Sequence, residues 1–152
     1  MPTSNRIVSV VDDDVHTAQL FHESLAENID EISVFSFTDP IKALEHFTEN
    51  KEDYALVISD LRMPGLNGLE LLKKVKDSNP KVRTILMSAY NFEEHILFFQ
   101  YMEEGIIDSA LDKPITMDRL FQTVGDELNA YQSASGQKWL VVFNNPMNLL
   151  SS

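Results

Sequence analysis

The sequence predicts an α/β fold: a (βα)5 doubly wound sheet of five parallel strands, layered between helices on both faces. Three observations carry this. Short apolar runs alternate with segments of helical period from Ile7 to about Tyr131. The runs are nearly continuous, as strands covered on both faces tend to be. Caps and breakers punctuate them, so strand follows helix with short connections.

Each element follows from its residues. Ile7–Val11 is the first strand, and the segment Val15 to Asn28 carries Leu20, Phe21 and Leu25 at helical spacing. Ile32–Phe37 is rich in β-branched and aromatic residues, which favour a strand. Asp39-Pro40 reads as an N-cap followed by proline at the first helical position, and the helix continues through Ala43, Leu44 and Phe47. Leu56–Ser59 is a short buried strand ending at Asp60. Met63-Pro64-Gly65 is a turn. Gly68 to Asp77 is a helix with Leu69, Leu72 and Val75 inward, and Asn79-Pro80 breaks it. Val82–Met87 is the fourth strand. Phe92 to Glu104 is the fourth helix, ended by Gly105. Ile106 to Leu111 is a fifth, weaker strand, and Thr116 caps a last helix from Met117 to about Tyr131. Crossovers should be right-handed, with a site at the carboxyl ends of the strands.

Composition narrows the function. The chain is 43% hydrophobic, enough for a core, and its formal net charge is −12. That acidity argues against a nucleic-acid surface. With no cysteine, disulfides and thiolate metal sites are excluded. The N-terminal residues lack the apolar core of a signal peptide, and no run reaches the ~18 residues of a membrane span. The expectation is a cytoplasmic protein with no membrane partner.

The polar residues that matter share one edge. Asp12 and Asp13 follow the first strand, Asp60 ends the third, Ser88 ends the fourth and Lys113 follows the fifth. Three carboxylates without thiolates or clustered histidines make a hard oxygen site for Mg²⁺ or Mn²⁺. Such a cation offsets the repulsion among them. Asp14 is placed to cap the first helix. A hydroxyl and an ammonium beside a divalent cation suit an anionic phosphoryl group, and a carboxylate there can act as nucleophile. His16, His22, His46 and His95 lack ligand spacing with one another and read as helix-surface residues.

The acidic pair Asp12-Asp13, the segment SDLRMPGLNG from Ser59 to Gly68, Ser88-Ala89 after TILM, and Lys113-Pro114 occur in order at strand ends. In this pattern the chain resembles the response-regulator receiver domains of two-component signalling, a family with stand-alone chemotaxis-type members. The resemblance covers roughly residues 5–130. It implies the flavodoxin-like three-layer sandwich and a Mg²⁺-dependent switch. Asp60 would accept a phosphoryl group from the phosphohistidine of a sensor histidine kinase or a histidine phosphotransfer protein. Asp13, Asp60 and the main-chain carbonyl of Arg62 would bind the metal directly, with Asp12 acting mostly through metal-bound water. Ser88 would contact the phosphoryl group and Lys113 would pair with it, across a cis Lys113-Pro114 peptide. Such a domain catalyses only its own phosphorylation and dephosphorylation, and then signals to a downstream protein through its fourth to fifth helices.

The chain departs from the family in three places. Ala110 stands where receivers usually carry Tyr or Phe, three residues before the lysine. The segment between Ser88 and Lys113 is slightly long, and its helix is unusually aromatic, with Phe92, Phe98, Phe99 and Tyr101. That helix is either well buried or an exposed apolar patch for a partner or a homodimer. Residues 1–131 are the expected receiver domain; 132–152 form a tail that shifts in composition. There Trp139-Leu140-Val141-Val142-Phe143 is strand-like and Asn144-Asn145-Pro146 is a turn. The tail is expected to be an extra strand, a docking segment or a reading-frame scar. No output domain is expected after it. The leading expectation is a stand-alone phosphoacceptor. An adaptor of the same fold that works without phosphorylation is the alternative, which Ala110 favours mildly. An aspartyl phosphatase of the haloacid-dehalogenase kind would need a second acid two residues after the nucleophile, where Arg62 stands.

Overall fold

Ile7–Val11, Ser33–Phe37, Tyr54–Asp60, Arg83–Ser88 and Ser109–Asp112 form strands β1 to β5. Val15–Asn28, Pro40–Asn50, Gly68–Ser78, Ile96–Glu103 and Met117–Ser135 form helices α1 to α5. The structure is a computed structural model that describes residues 6–89 and 96–135. The expected helix start at Phe92, residues Tyr90 and His95, and the strand-like run 139–143 therefore lie outside the described residues.

All the strands pair in parallel, in the order β2-β1-β3-β4-β5. The chain steps from β1 out to β2 on one side, then crosses back past β1 to β3 on the other. The switch in strand order therefore falls between β1 and β3, where Val11 lies beside Ser59.

The sheet separates two cores. On one face Phe21 and Leu25 of α1 pack with Leu120, Val124 and Leu128 of α5. On the other, Phe47 of α2, Leu72 and Val75 of α3 and Phe98 of α4 pack together. Leu25, Leu72 and Val75 are fully buried, and each such side chain contributes about 1.5–3 kcal/mol.

The expected caps are present. Asp14 accepts from the His16 amide at 3.1 Å and from the Thr17 hydroxyl at 2.9 Å. Asp39 accepts from the Ile41 amide at 2.9 Å, with Pro40 opening α2. Gly105 takes φ +79° just past α4, and Thr116 accepts from the Arg119 amide at 3.2 Å.

Several details differ from the sequence reading. Leu20 is 52% exposed. Ile106 and Ile107 are buried but not in β5, because both amides donate to the Tyr101 carbonyl and so close α4. β3 begins two residues early, at Tyr54, and α5 runs on to Ser135. His46 is not a plain surface residue: it is half-buried against Phe35, Phe37 and Tyr54, and its Nδ1 lies 2.7 Å from the Tyr54 hydroxyl. His22 is also half-buried, with Nδ1 2.9 Å from the Ser36 hydroxyl.

Candidate functional site

The carboxyl ends of β1, β3, β4 and β5 converge on one cluster. The Asp12 amide donates to the Phe37 carbonyl at 3.0 Å, which carries the ladder past β1 and fixes the residue at the sheet edge. Its carboxylate is wholly buried. Oδ1 accepts from the Asp14 amide at 2.9 Å and Oδ2 from Lys113 Nζ at 2.9 Å. Asp13 is exposed. Asp60 ends β3 only 9% exposed; its Oδ1 accepts from the Leu61 amide at 3.0 Å and lies 3.3 Å from Lys113 Nζ. Asp12, Asp13 and Asp60 can each offer one oxygen so that the three lie within 4.8 Å of one another.

Lys113 reaches this cluster through a fixed loop. Its amide donates to the Ser88 carbonyl at 2.9 Å, tying the end of β4 to the turn after β5. The Lys113-Pro114 peptide is cis. Ser88 is buried at the end of β4, opposite Asp112 of β5, and Ala89 beyond it is exposed. Arg62 is exposed and, with Asp13, Met63, Pro64 and Asn67, lines an open depression of about 330 Å³ beside the acids.

The electrostatics match this crowding. Burial, then the charge of Asp12, pushes the Asp60 carboxyl above its ordinary range, against the pull of Lys113. Burial works against the Lys113 charge, but the hydrogen bond and charge of Asp12, then Asp60, hold that ammonium above its usual value. The donor set suits a hard divalent cation, being all oxygen and clustered on one rim.

Local structure holds the site open. Gly65 takes φ +90° in the turn after Pro64. Gly68 opens α3, where a Cβ would stand 2.3 Å from the Asp60 carbonyl oxygen, so only glycine lets α3 approach β3 this closely. The sequence reading did not single out that contact. It also missed the capping box of Asn67 and Glu70, each accepting from the other's amide at 2.9 Å, although Asn-x-x-Glu was legible.

Ala110 is half-buried in β5 beside Leu86 and packs, with Tyr101, against the core under α2 to α4. Along the described part of α4, Phe98 is buried and Tyr101 half-buried, while Ile96 (85%), Leu97 and Phe99 are exposed. At the opposite edge of the sheet, Asp108 pairs with Lys76 at 2.8 Å and Arg83 at 3.3 Å. Arg83 also meets Glu127 at 2.7 Å, and the Ser109 hydroxyl donates to Glu127. This network ties α3, β4, β5 and α5 together, and nothing local in the sequence announced it.

Comparison with known proteins agrees with this geometry. The chain is 31% identical over 127 residues to the DNA-binding transcriptional regulator NtrC of Escherichia coli (strain K12), covering 83% of this chain and 25% of that protein. It is 32% identical over 130 residues to the hydrogenase transcriptional regulatory protein HoxA of Cupriavidus necator, covering 86% and 26%. The chain thus spans about a quarter of the length of these curated relatives. A response regulator receiver domain protein from Clostridium thermocellum superposes with a TM-score of 0.75 at 25% identity, over 85% of this chain and 98% of that one. The response regulator protein TrrA from Thermotoga maritima, solved in complex with Mg²⁺-BeF, superposes with a TM-score of 0.67 at 25% identity, over 80% and 98%. These neighbours share the flavodoxin-like (βα)5 fold. Residues 8–125 match the model of the response regulator receiver domain, and with the acids and Lys113 gathered at the carboxyl edge of that fold, the chain belongs to the response regulator receiver family.

Proposed function

We propose that residues 1–131 are a phosphoacceptor receiver domain and that Asp60 is its acceptor. The observation that carries this is the gathering of Asp12, Asp13 and Asp60 within 4.8 Å, flanked by Lys113 at 2.9 Å from Asp12 and 3.3 Å from Asp60. An Asp60 oxygen attacks phosphorus on the phosphohistidine of a sensor histidine kinase or histidine phosphotransfer protein. The P–N bond breaks, its electron pair returns to the donor imidazole, and Asp60 becomes an acyl phosphate. Water later attacks that phosphorus and releases inorganic phosphate and the free carboxylate. No separate substrate is turned over.

Lys113 leaves its carboxylate partners to meet the phosphoryl oxygens, and the Ser88 hydroxyl donates to them. Asp13, Asp60 and the Arg62 carbonyl would hold Mg²⁺ or Mn²⁺, with Asp12 behind them. The metal would supply neutralisation of the phosphoryl charge. The Mg²⁺-BeF complex named for TrrA supports this choice of cation. The signal passes to a protein partner, or a second copy, through the face from α4 to α5. We place this chemistry in the cytoplasm. Among the described residues no helix is long and apolar enough to cross a membrane.

Intact mass after incubation with a small phosphodonor tests the reading, with and without Mg²⁺, beside Asp60→Asn. A Mg²⁺-dependent phosphoryl adduct absent from the variant is expected. A folded protein that gains no adduct from either the small donor or a phosphohistidine protein would leave the adaptor reading, which Ala110 favours.

A further inference from the structure

We propose that the outer edge of β2 is a docking site for an extended, basic segment of a partner protein, which adds to the sheet as a further strand. This surface stands apart from phosphoryl transfer and does not rest on it. Among the described residues β2 pairs with β1 alone, and the strand carries none of the devices that blunt an edge. Ser33-Val34-Phe35-Ser36-Phe37 has no charge and no proline, and it pairs with β1 without a bulge. The Ser33 amide and the Phe37 carbonyl both bond toward β1, so by alternation Val34 and Ser36 turn their amides and carbonyls outward. Main-chain bonds to those groups would hold an added strand.

Both sides of the edge offer apolar contact. Toward α1, a depression of about 340 Å³ is lined by Val15, Ala18, His22, Glu23, Ser36 and Phe37, and Val15 is exposed there. Toward α2, Phe35 is exposed, with its ring centre 4.4 Å from that of His46. An added strand points alternate side chains to the two faces and so covers both.

Charge decides which strand fits. Every formally charged side chain between Arg6 and Lys42 is an acid. Glu23 and Glu27 are exposed on α1, exposed Asp30 and Glu31 precede β2, and exposed Asp39 follows it. Arg6 is buried, 3.8 Å from Glu31, and Lys42 is an exposed base at the start of α2. A segment with lysine or arginine at its ends therefore meets acids at both ends of β2, and an acidic segment is repelled. A second copy of this chain fits badly. Two β2 strands paired antiparallel in full register about Phe35 set Glu31 opposite Asp39 of the other copy, and parallel pairing sets like acids side by side. The flanks thus oppose self-pairing and leave the edge open to a basic partner.

An NMR titration of the full chain with a synthetic peptide, a run of valine and threonine between paired lysines, tests this. With the peptide saturating, the Val34 and Ser36 amides should exchange at least about tenfold more slowly than in the free chain. The Kd should rise at least about tenfold when glutamates replace the lysines of the peptide, and likewise when the protein carries Glu23→Lys with Asp30→Lys. Ser36→Pro removes an outward amide without touching the β1 ladder and should abolish the slowing at Val34. The β1 amides should stay equally slow in every variant, which reports an intact sheet. No slowing at Val34 and Ser36 with the lysine peptide, or equal affinity for the lysine and glutamate peptides, would overturn the proposal. So would amides already slow in the free chain: slow at every dilution, they assign the edge to another segment of the same chain, and slow only when concentrated, to a second copy.

Discussion

Gly68→Ala separates two physical expectations of opposite sign. Gly68 is the first residue of α3, and alanine exceeds glycine in helix propensity by about 1 kcal/mol. On propensity alone the substitution stabilises. The structure says otherwise. The new Cβ would stand 2.3 Å from the Asp60 carbonyl oxygen and 2.9 Å from Leu86 Cδ1. Leu86 can turn, but the carbonyl cannot easily retreat. It accepts from the Ser59 hydroxyl at 2.9 Å, and the next amide, Leu61, is held to the Met87 carbonyl at 2.8 Å. Relief needs a main-chain shift of about 0.7 Å to reach even a 3.0 Å contact. Overpacking of this kind costs about 1–3 kcal/mol and sometimes more, so a net loss of about 2 kcal/mol is expected. With a urea m-value of about 2 kcal/mol/M, the midpoint should fall by about 1 M at unchanged m. The same shift drags Asp60, so the stabilisation gained on adding Mg²⁺ should shrink in parallel. A midpoint equal to or above that of the parent would refute the claim that α3 is docked on Asp60 through a glycine-only contact.

Other outcomes follow from the same geometry. The Asp60 carboxyl is held high by burial and by Asp12, so the folded state binds its proton more tightly than the unfolded chain. Stability is then lost as pH rises from the unfolded value through the folded one, and the loss is complete above it. Without divalent cations Asp60→Asn should accordingly be more stable at pH 7, with the gap closing below about pH 4; equal urea midpoints at pH 7 would contradict this. Saturating Mg²⁺ should stabilise the parent by about 2.7 kcal/mol at a hundred times its Kd, and Asp13→Asn should abolish most of that gain in a thermal melt. Glu127→Ala strips Arg83 and Ser109 of a shared acceptor and should lower stability by about 1–3 kcal/mol, read by denaturant titration. Phe99→Asp, on the exposed side of α4, should change stability by no more than about 0.5 kcal/mol while weakening association with a partner or a second copy, measured by light scattering or calorimetry.

Much of the molecule was legible because its signals are local. The first strand could be read as Ile7–Val11 because a buried parallel strand is a continuous apolar run. Asp14, Asp39 and Thr116 could be read as caps because a cap acts within three residues. The acids and Lys113 could be joined because a parallel sheet brings all its carboxyl ends to one edge. Apart from the local Asn67–Glu70 capping box, what escaped was long-range. Whether Leu20 or Phe99 faces the core depends on how its helix is rotated against neighbours distant in the chain. The Lys76–Asp108–Arg83–Glu127 network joins four elements, and no window of sequence contains it. Ile106 and Ile107 read as strand because they are apolar and β-branched. Their amides were already committed to the end of α4, so the ladder could begin only at Ser109.

The cluster of like charges at the end of β1 has a physical account that the fold enforces. Asp12, Asp13 and Asp60 bring three negative charges to one rim and Lys113 returns one positive charge. Lys113 bonds to the two more buried acids, where a lone charge is most expensive, and Asp13 is exposed to water. That division leaves a surplus of two negative charges, the charge a divalent cation carries. It also places the ammonium where it can move. An acyl phosphate on Asp60 adds oxygens carrying more charge than the carboxylate it replaces, and Lys113 gains by following them. Asp12 would then lose its ammonium partner while staying buried. On the proposed mechanism, the free energy of phosphorylation is therefore felt first at Asp12 and at the loop holding Lys113. That loop is tied through the Ser88 carbonyl to β4 and runs directly into α5. With Ala110 offering no ring to reposition, that mechanism leaves the main-chain link from Lys113 to Ser88 to couple the acceptor's surroundings to the end of β4.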